Sequence, residues 1–101
     1  MLGPWHRQSL SFARQLKGLP AHYPSCKSAI AATTMRPPAT ATGIPVGALV
    51  WFDNEPYGDV GVSVGNSLML AVTDDGWLVI AGIGTWHAPV HGWSLTIGDA
   101  P

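Results

Sequence analysis

Several side chains in this sequence are of types that do chemistry, and each also has a structural reading. Cys26 is the single thiol. It falls in the first turn of a short helical segment, "CKSAIAATT", where a helix N-terminus favours the thiolate. His22, just upstream in "AHYP", and His87 and His91 in "WHAPVHG" are the bases that would activate it. Against this, free cysteine is commonly a small buried hydrophobe, and packing beneath the helix is the reading favoured for Cys26. His87 and His91 stand four apart, a spacing that suits a metal on a helix, but Pro89 between them argues against helix. Two histidines without a carboxylate nearby make a weak metal site, so both are read as loop or surface residues. Asp74 and Asp75 in "TDDG" are too closely spaced for a calcium loop and fit a turn. No metal and no other cofactor is expected.

A further carboxylate stands out by position. In "PYGDVGVSVGN", Asp59 precedes the first residue of an apolar/small alternation, a charge placed where a strand enters the core. As a non-catalytic group it would accept hydrogen bonds from nearby backbone or from Tyr57. Of the five tryptophans, Trp51 lies in a buried run. Trp5, Trp77, Trp86 and Trp93 are core edges or flat platforms for a sugar or a partner protein, with Trp77 and Trp86 the binding candidates beside Tyr57 and Asp59.

The elements that must position these groups follow from composition and periodicity. The chain has 101 residues, 47% of them hydrophobic and 11% charged, which makes one small globular domain over 1–101. Residues 8–34 carry helical signals. "SLSFARQLKGLP" sets Leu10, Ala13, Leu16 and Lys17 on one side with Phe12 and Leu19 beside them; Ser9 is a candidate cap, and Gly18 and Pro20 close the segment. Ser25 is the candidate cap of a second helix, with Cys26, Ala29, Ile30 and Thr33 on one face. Residues 35–45, "MRPPATATGIP", read as an extended linker that does not pack as an element. Over 46–98 strands alternate with turns: Ala48–Asp53, then Val60, Val62 and Val64 with one face inward, a tight turn at Gly65-Asn66-Ser67, Leu68–Val72, Trp77–Ala81 and Trp93–Ile97. Helices followed by strands predict an α+β fold with an antiparallel sheet.

Other classes are disfavoured. A net charge of −1 with five scattered basic residues points away from nucleic acid. One cysteine excludes an intrachain disulfide and a cysteine-based zinc site. The longest apolar run, Ile44–Phe52, is well short of the roughly 20 residues that span a bilayer, so no membrane partner is expected. "MLGPWHRQ" lacks the layout of a signal peptide, so if the protein acts outside its producing cell it is expected to leave by lysis, in a particle or without its original leader.

The motifs in order resemble a family. "GIPVGALVWFDNEPYGDVGVSVGNSLMLAVTDDG", the closing "HGWSLT" and the earlier "LSFARQLKGLPAHYPSCKSAIAAT" are together similar to the CHAP and NlpC/P60 cysteine peptidases and amidases that cut peptidoglycan, above all those of actinobacteria and their phages. The resemblance covers most of the chain. It implies a papain-like α+β fold, N-terminal helices against a twisted antiparallel sheet. It also implies a nucleophilic cysteine at the start of the first helix, a histidine base at the head of the second strand, and a polar third group. Those positions hold Ser9, Asp59 and Asp74.

An aspartate with an ordinary pKa of about 3.9 is a poor base for a serine hydroxyl at neutral pH, and burial that raises its pKa leaves it protonated. The resemblance therefore implies a vestigial dyad: a non-catalytic relative of peptidoglycan hydrolases serving as a binding or structural module. Its expected partners are peptidoglycan or phage structural proteins. Its expected location is a virion or the cell wall after release, the cytoplasm before. One alternative is an active amidase or endopeptidase using Cys26 with His22. Another is a capsid or tail decoration protein. Oligomeric state is not legible.

Overall fold

The computed structural model describes residues 3–4, 8–18, 23–36, 43–54 and 57–98. The chain is α+β: helices α1 (Ser9–Lys17) and α2 (Cys26–Ala31), then strands β1 (Leu49–Phe52), β2 (Asp59–Gly65), β3 (Leu68–Val72), β4 (Leu78–Gly82) and β5 (Gly92–Ser94). The strands form one antiparallel sheet in the order β4-β3-β2-β1-β5. β1 to β4 are a meander, and the chain then crosses the sheet to place β5 beside β1.

α1 ends on Gly18, whose left-handed conformation (φ 69°) directs its N–H to the carbonyls of Arg14 and Gln15. Lys17 Nζ donates to Gly47 O at 2.6 Å and ties this end of the helix to the loop before β1. The other end departs from expectation. Ser9 is the first helical residue rather than the cap; the cap position is Gln8, which makes no side-chain cap bond. The Ser9 hydroxyl is engaged elsewhere, as described below. The buried face also differs: Phe12 and Ala13 are buried, Leu10 packs at the edge, and Leu16 is half exposed. Leu19 lies outside the described residues. In α2, Ser25 caps as expected, closing a reciprocal box with Ser28. The helix stops at Ala31, so Thr33 is not helical. Its hydroxyl donates to Ala29 O at 2.7 Å and accepts from Gly98 N–H at 2.7 Å.

The sheet is packed on both faces. Leu49, Trp51, Val60 and Val62 meet Ala13, Cys26, Ala29 and Ile30 of the helices. Val50, Phe52, Met69 and Ala71 meet Ile44, Ile83 and Trp93 on the opposite face. The segment that crosses from β4 to β5 covers this second face, with Trp86, Ala88 and Val90 packed against it. Trp51, Phe52 and Leu49 are fully enclosed, each contributing roughly 2–3 kcal/mol of burial. Trp51 Nε1 donates to Ser94 Oγ at 2.7 Å, so its one polar atom is satisfied inside the core.

This two-sided packing corrects the reading of β2 as a strand with one buried face. Gly61 and Ser63 are as buried as Val60 and Val62, whereas Val64 is 42% exposed. Gly61 has no side chain because a Cβ there would sit 2.5 Å from Met69 Sδ. A register shift between Ser63 and Gly65 ends the regular part of the strand, and Asn66 and Ser67, both at positive φ, make the turn into β3. The last strand is shorter than expected and begins one residue earlier. The ends of the 35–45 linker do pack: Arg36 bridges Trp93, Met35 lies against Gly92, and Ile44 is core. Residues 37–42 lie outside the described part.

Candidate functional site

The side chains with chemical potential gather where α1 begins and β2 begins. Ser9 stands in the first turn of α1. Cys26 opens α2, and Ser9 Oγ lies 3.5 Å from its Sγ. Asp59, the first residue of β2, is 7% exposed, and its carboxyl is hydrogen-bonded to the Ser9 side chain. Its Oδ1 accepts the Val60 N–H at 2.9 Å. Its Oδ2 accepts the Trp86 Nε1–H at 3.2 Å. Asp59 thus links the helical layer, through Ser9, to the crossing segment on the other side of the sheet, through Trp86.

His87 completes the cluster. Its Nε2 lies 3.6 Å from Asp59 Oδ2 and 3.8 Å from Asp74 Oδ1, and its ring packs at 4.9 Å from that of Trp86. The expectation that the histidines have no carboxylate nearby is therefore corrected. The β3–β4 turn and the crossing segment converge, and His87 stands between two carboxylates. Asp74, expected as a third polar group, is exposed and joins the cluster through His87. The sequence marks His87 only as a loop histidine, because the irregular segment 83–91 has no periodicity to show which groups it faces.

The electrostatics of the cluster are set by its two buried members, Asp59 and Cys26, with His87 and Asp74 on the solvent side. Burial pushes the Asp59 carboxyl upward. Hydrogen bonds from Ser9, the Val60 N–H and Trp86, with attraction to His87, partly offset this. Burial pushes the Cys26 thiol up to about 12. The Ser9 hydrogen bond and a backbone hydrogen bond from Leu10 act against that rise, and the Asp59 charge adds to it. Cys26 is only 3% exposed and is a neutral thiol at physiological pH. Ser9 is flanked by an acid and a thiol, neither of which removes its proton readily.

The remaining candidates lie apart or are otherwise engaged. Trp86 is half-buried, 6.1 Å from Phe52 by ring centroids, with its N–H committed to Asp59; it is a wall of the cluster rather than an open platform. Trp77 is 46% exposed at the head of β4. Tyr57, half exposed in the turn before β2, accepts the Lys27 N–H on its carbonyl. His91 lines a shallow hollow of about 150 Å³ with Asp53, Asn54 and residues 88–90. Asp53 is held below the usual carboxylate range by its bond to Lys27 at 2.8 Å. His22 and Trp5 lie outside the described residues. Among the described residues, no group of three His, Cys, Asp or Glu has the geometry to hold a metal ion, and no helix is long and apolar enough to cross a membrane.

No protein-family model matches the chain, and neither does any curated protein or solved structure.

Proposed function

We propose that this chain is a non-catalytic relative of the CHAP and NlpC/P60 peptidoglycan hydrolases, with a papain-like fold reduced to a binding or structural module, carried by a phage particle or a phage-encoded protein. The observation that supports this is the contact between Ser9 at the head of the first helix and Asp59 at the head of the second strand. Those are the two positions at which the resemblance places a nucleophilic cysteine and its histidine base. Here they hold a hydroxyl and a buried carboxyl joined to each other, with Trp86 and His87 closing over them. The arrangement keeps the scaffold of a nucleophile-and-base pair and replaces its chemistry with a hydrogen-bonded knot.

The same geometry argues against an amidase using Cys26. Its sulfur is buried beneath Ser9, and the nearest ionisable group acting on it, Asp59, disfavours the thiolate. A nucleophilic thiol needs the opposite environment, a cation or an accessible helix N-terminus.

Incubation of the purified protein with bacterial sacculi tests the reading through two measurements. Co-sedimentation reports binding, and newly released amines and muropeptides report cleavage. The expected result is retention on the sacculi without release. Release that disappears in Cys26→Ser or Ser9→Ala would overturn the proposal. Neither retention nor release would remove peptidoglycan as the partner and leave attachment to a particle.

A further inference from the structure

The segment that crosses from β4 to β5 is fastened through its backbone only at its two ends. At one end Ile83 is buried and its N–H donates to Ser67 O at 2.9 Å. At the other, the His91 N–H donates to Trp51 O at 2.8 Å. Between these anchors, among the described residues, 84–90 make no backbone–backbone hydrogen bond. Side chains hold this stretch to the sheet. Trp86, Ala88 and Val90 supply apolar contact, and residues 88–90 border the hollow of about 150 Å³. The polar holds converge on Asp59 Oδ2, which accepts the Trp86 Nε1–H at 3.2 Å and has His87 Nε2 at 3.6 Å.

His87 is placed where its charge decides how firmly the stretch is held. Asp59 faces it from β2 and Asp74 from the β3–β4 turn, with Asp75 next in that exposed turn. Behind Asp59 the helices present Ser9 and the neutral Cys26 thiol. At the far end of the segment, His91 faces Asp53, which is already paired with Lys27. The Trp86 ring lies 4.9 Å from that of His87, within the range at which a cation is attracted to an aromatic face. An imidazolium at position 87 is therefore attracted to two carboxylates and an indole at once. A neutral imidazole has one N–H to give and gains little at these distances.

We propose that residues 84–90 are a pH-sensitive strap over the Ser9–Asp59 pair. Protonated His87 draws it onto Asp59 and Asp74; loss of that proton loosens it, and Trp86 leaves Asp59 as it opens. Histidine is the side chain that ordinarily changes charge between about pH 5 and 8, so the strap slackens towards alkaline conditions. Asp59 acts in the opposite sense: as its carboxyl ionises with rising pH, its bond from Trp86 strengthens. The closure does not depend on what the chain binds.

The Trp86 indole N–H reports the strap directly. In the isotope-labelled full chain, NMR measures its exchange with solvent from about pH 5 to about pH 8.5, as protection relative to free indole at the same pH. The Trp51 N–H, bonded to Ser94 in the core, reports global opening. Trp86 is expected to be less protected than Trp51 throughout, because the strap opens by itself. Its protection is expected to fall by roughly threefold to fivefold as the His87 ring titrates, the range for one ion pair with an exposed partner. His87→Gln keeps a neutral polar side chain and is expected to lose the fall, leaving only the rise that accompanies Asp59 ionisation. No fall in the wild type, a fall that survives in folded His87→Gln, or protection equal to that of Trp51 would overturn the proposal. If His87→Gln does not fold, the wild type decides: a fall whose midpoint coincides with that of the His87 ring supports the strap, and one displaced from it refutes it.

Discussion

Alkylation of Cys26 is the sharpest probe of the Ser9–Cys26–Asp59 cluster. With the thiol pushed up to about 12, the native protein at pH 8 holds about one molecule in ten thousand as thiolate, against roughly one in four for an ordinary cysteine with a pKa near 8.5. Because only the thiolate reacts, the electrostatic effect alone slows iodoacetamide by roughly two thousandfold. Burial of the sulfur beneath Ser9 adds a steric barrier, so reaction proceeds chiefly through opening of the fold. The assay compares the rate of mass increase for native protein with that for protein unfolded in urea, at one pH and one reagent concentration. The expected ratio is a thousandfold or more. A native rate within about tenfold of the unfolded control would refute the reasoning, because it requires a thiolate that is both formed and accessible.

Two further predictions concern stability. The Asp59 carboxyl is raised in the folded state, so its contribution to stability is fully present below the ordinary carboxylate pKa and is lost as pH rises through the raised one. Asp59→Asn lacks this titration. Its amide group must face either the Val60 N–H or the Trp86 N–H, which costs ~1–3 kcal/mol. The variant is therefore expected to melt below the wild type at pH 4 and to close the gap towards pH 7; a gap constant across that range in thermal melts contradicts the assignment. Ser67 holds a positive φ of 60° in the β2–β3 turn, and Ser67→Gly is expected to raise stability by up to ~1 kcal/mol in urea unfolding. An unchanged or lower midpoint would show that the turn is not strained there.

Elements with their own punctuation were legible in the sequence. Ser25 and Gly18 mark helix ends, and Gly65-Asn66-Ser67 marks a hairpin, because the physics that fixes them is local. Burial on both faces of β2 was not legible. Alternation reports which side chains are apolar, but Gly61 is buried for its lack of a side chain, to make room for Met69, a fact that belongs to the neighbouring strand. At the candidate site, Ser9 and Asp59 stood out only through a resemblance in motif order. No periodicity connects a serine in a helix with an aspartate fifty residues on. His87 was placed among the loop histidines, and its position between Asp59 and Asp74 depends on where the crossing segment runs. Ser9 was read as a cap because serine usually is one. Its hydroxyl is drawn instead to the buried carboxyl.

The position of β5 sets an order of assembly. It lies between β1 on one side and Arg36 on the other, so the last strand enters a slot whose two walls were both synthesised well before it. While the chain is being made, β1 through β4 can close as a meander through short connections, and both helices can dock on it. The slot stays empty until residues 92–94 leave the ribosome, and Trp51 waits that long for Ser94 to accept its N–H. Met35 and Arg36 have no strand to lie against until then. Capture of β5 is therefore the step that locks the first half of the protein to the second.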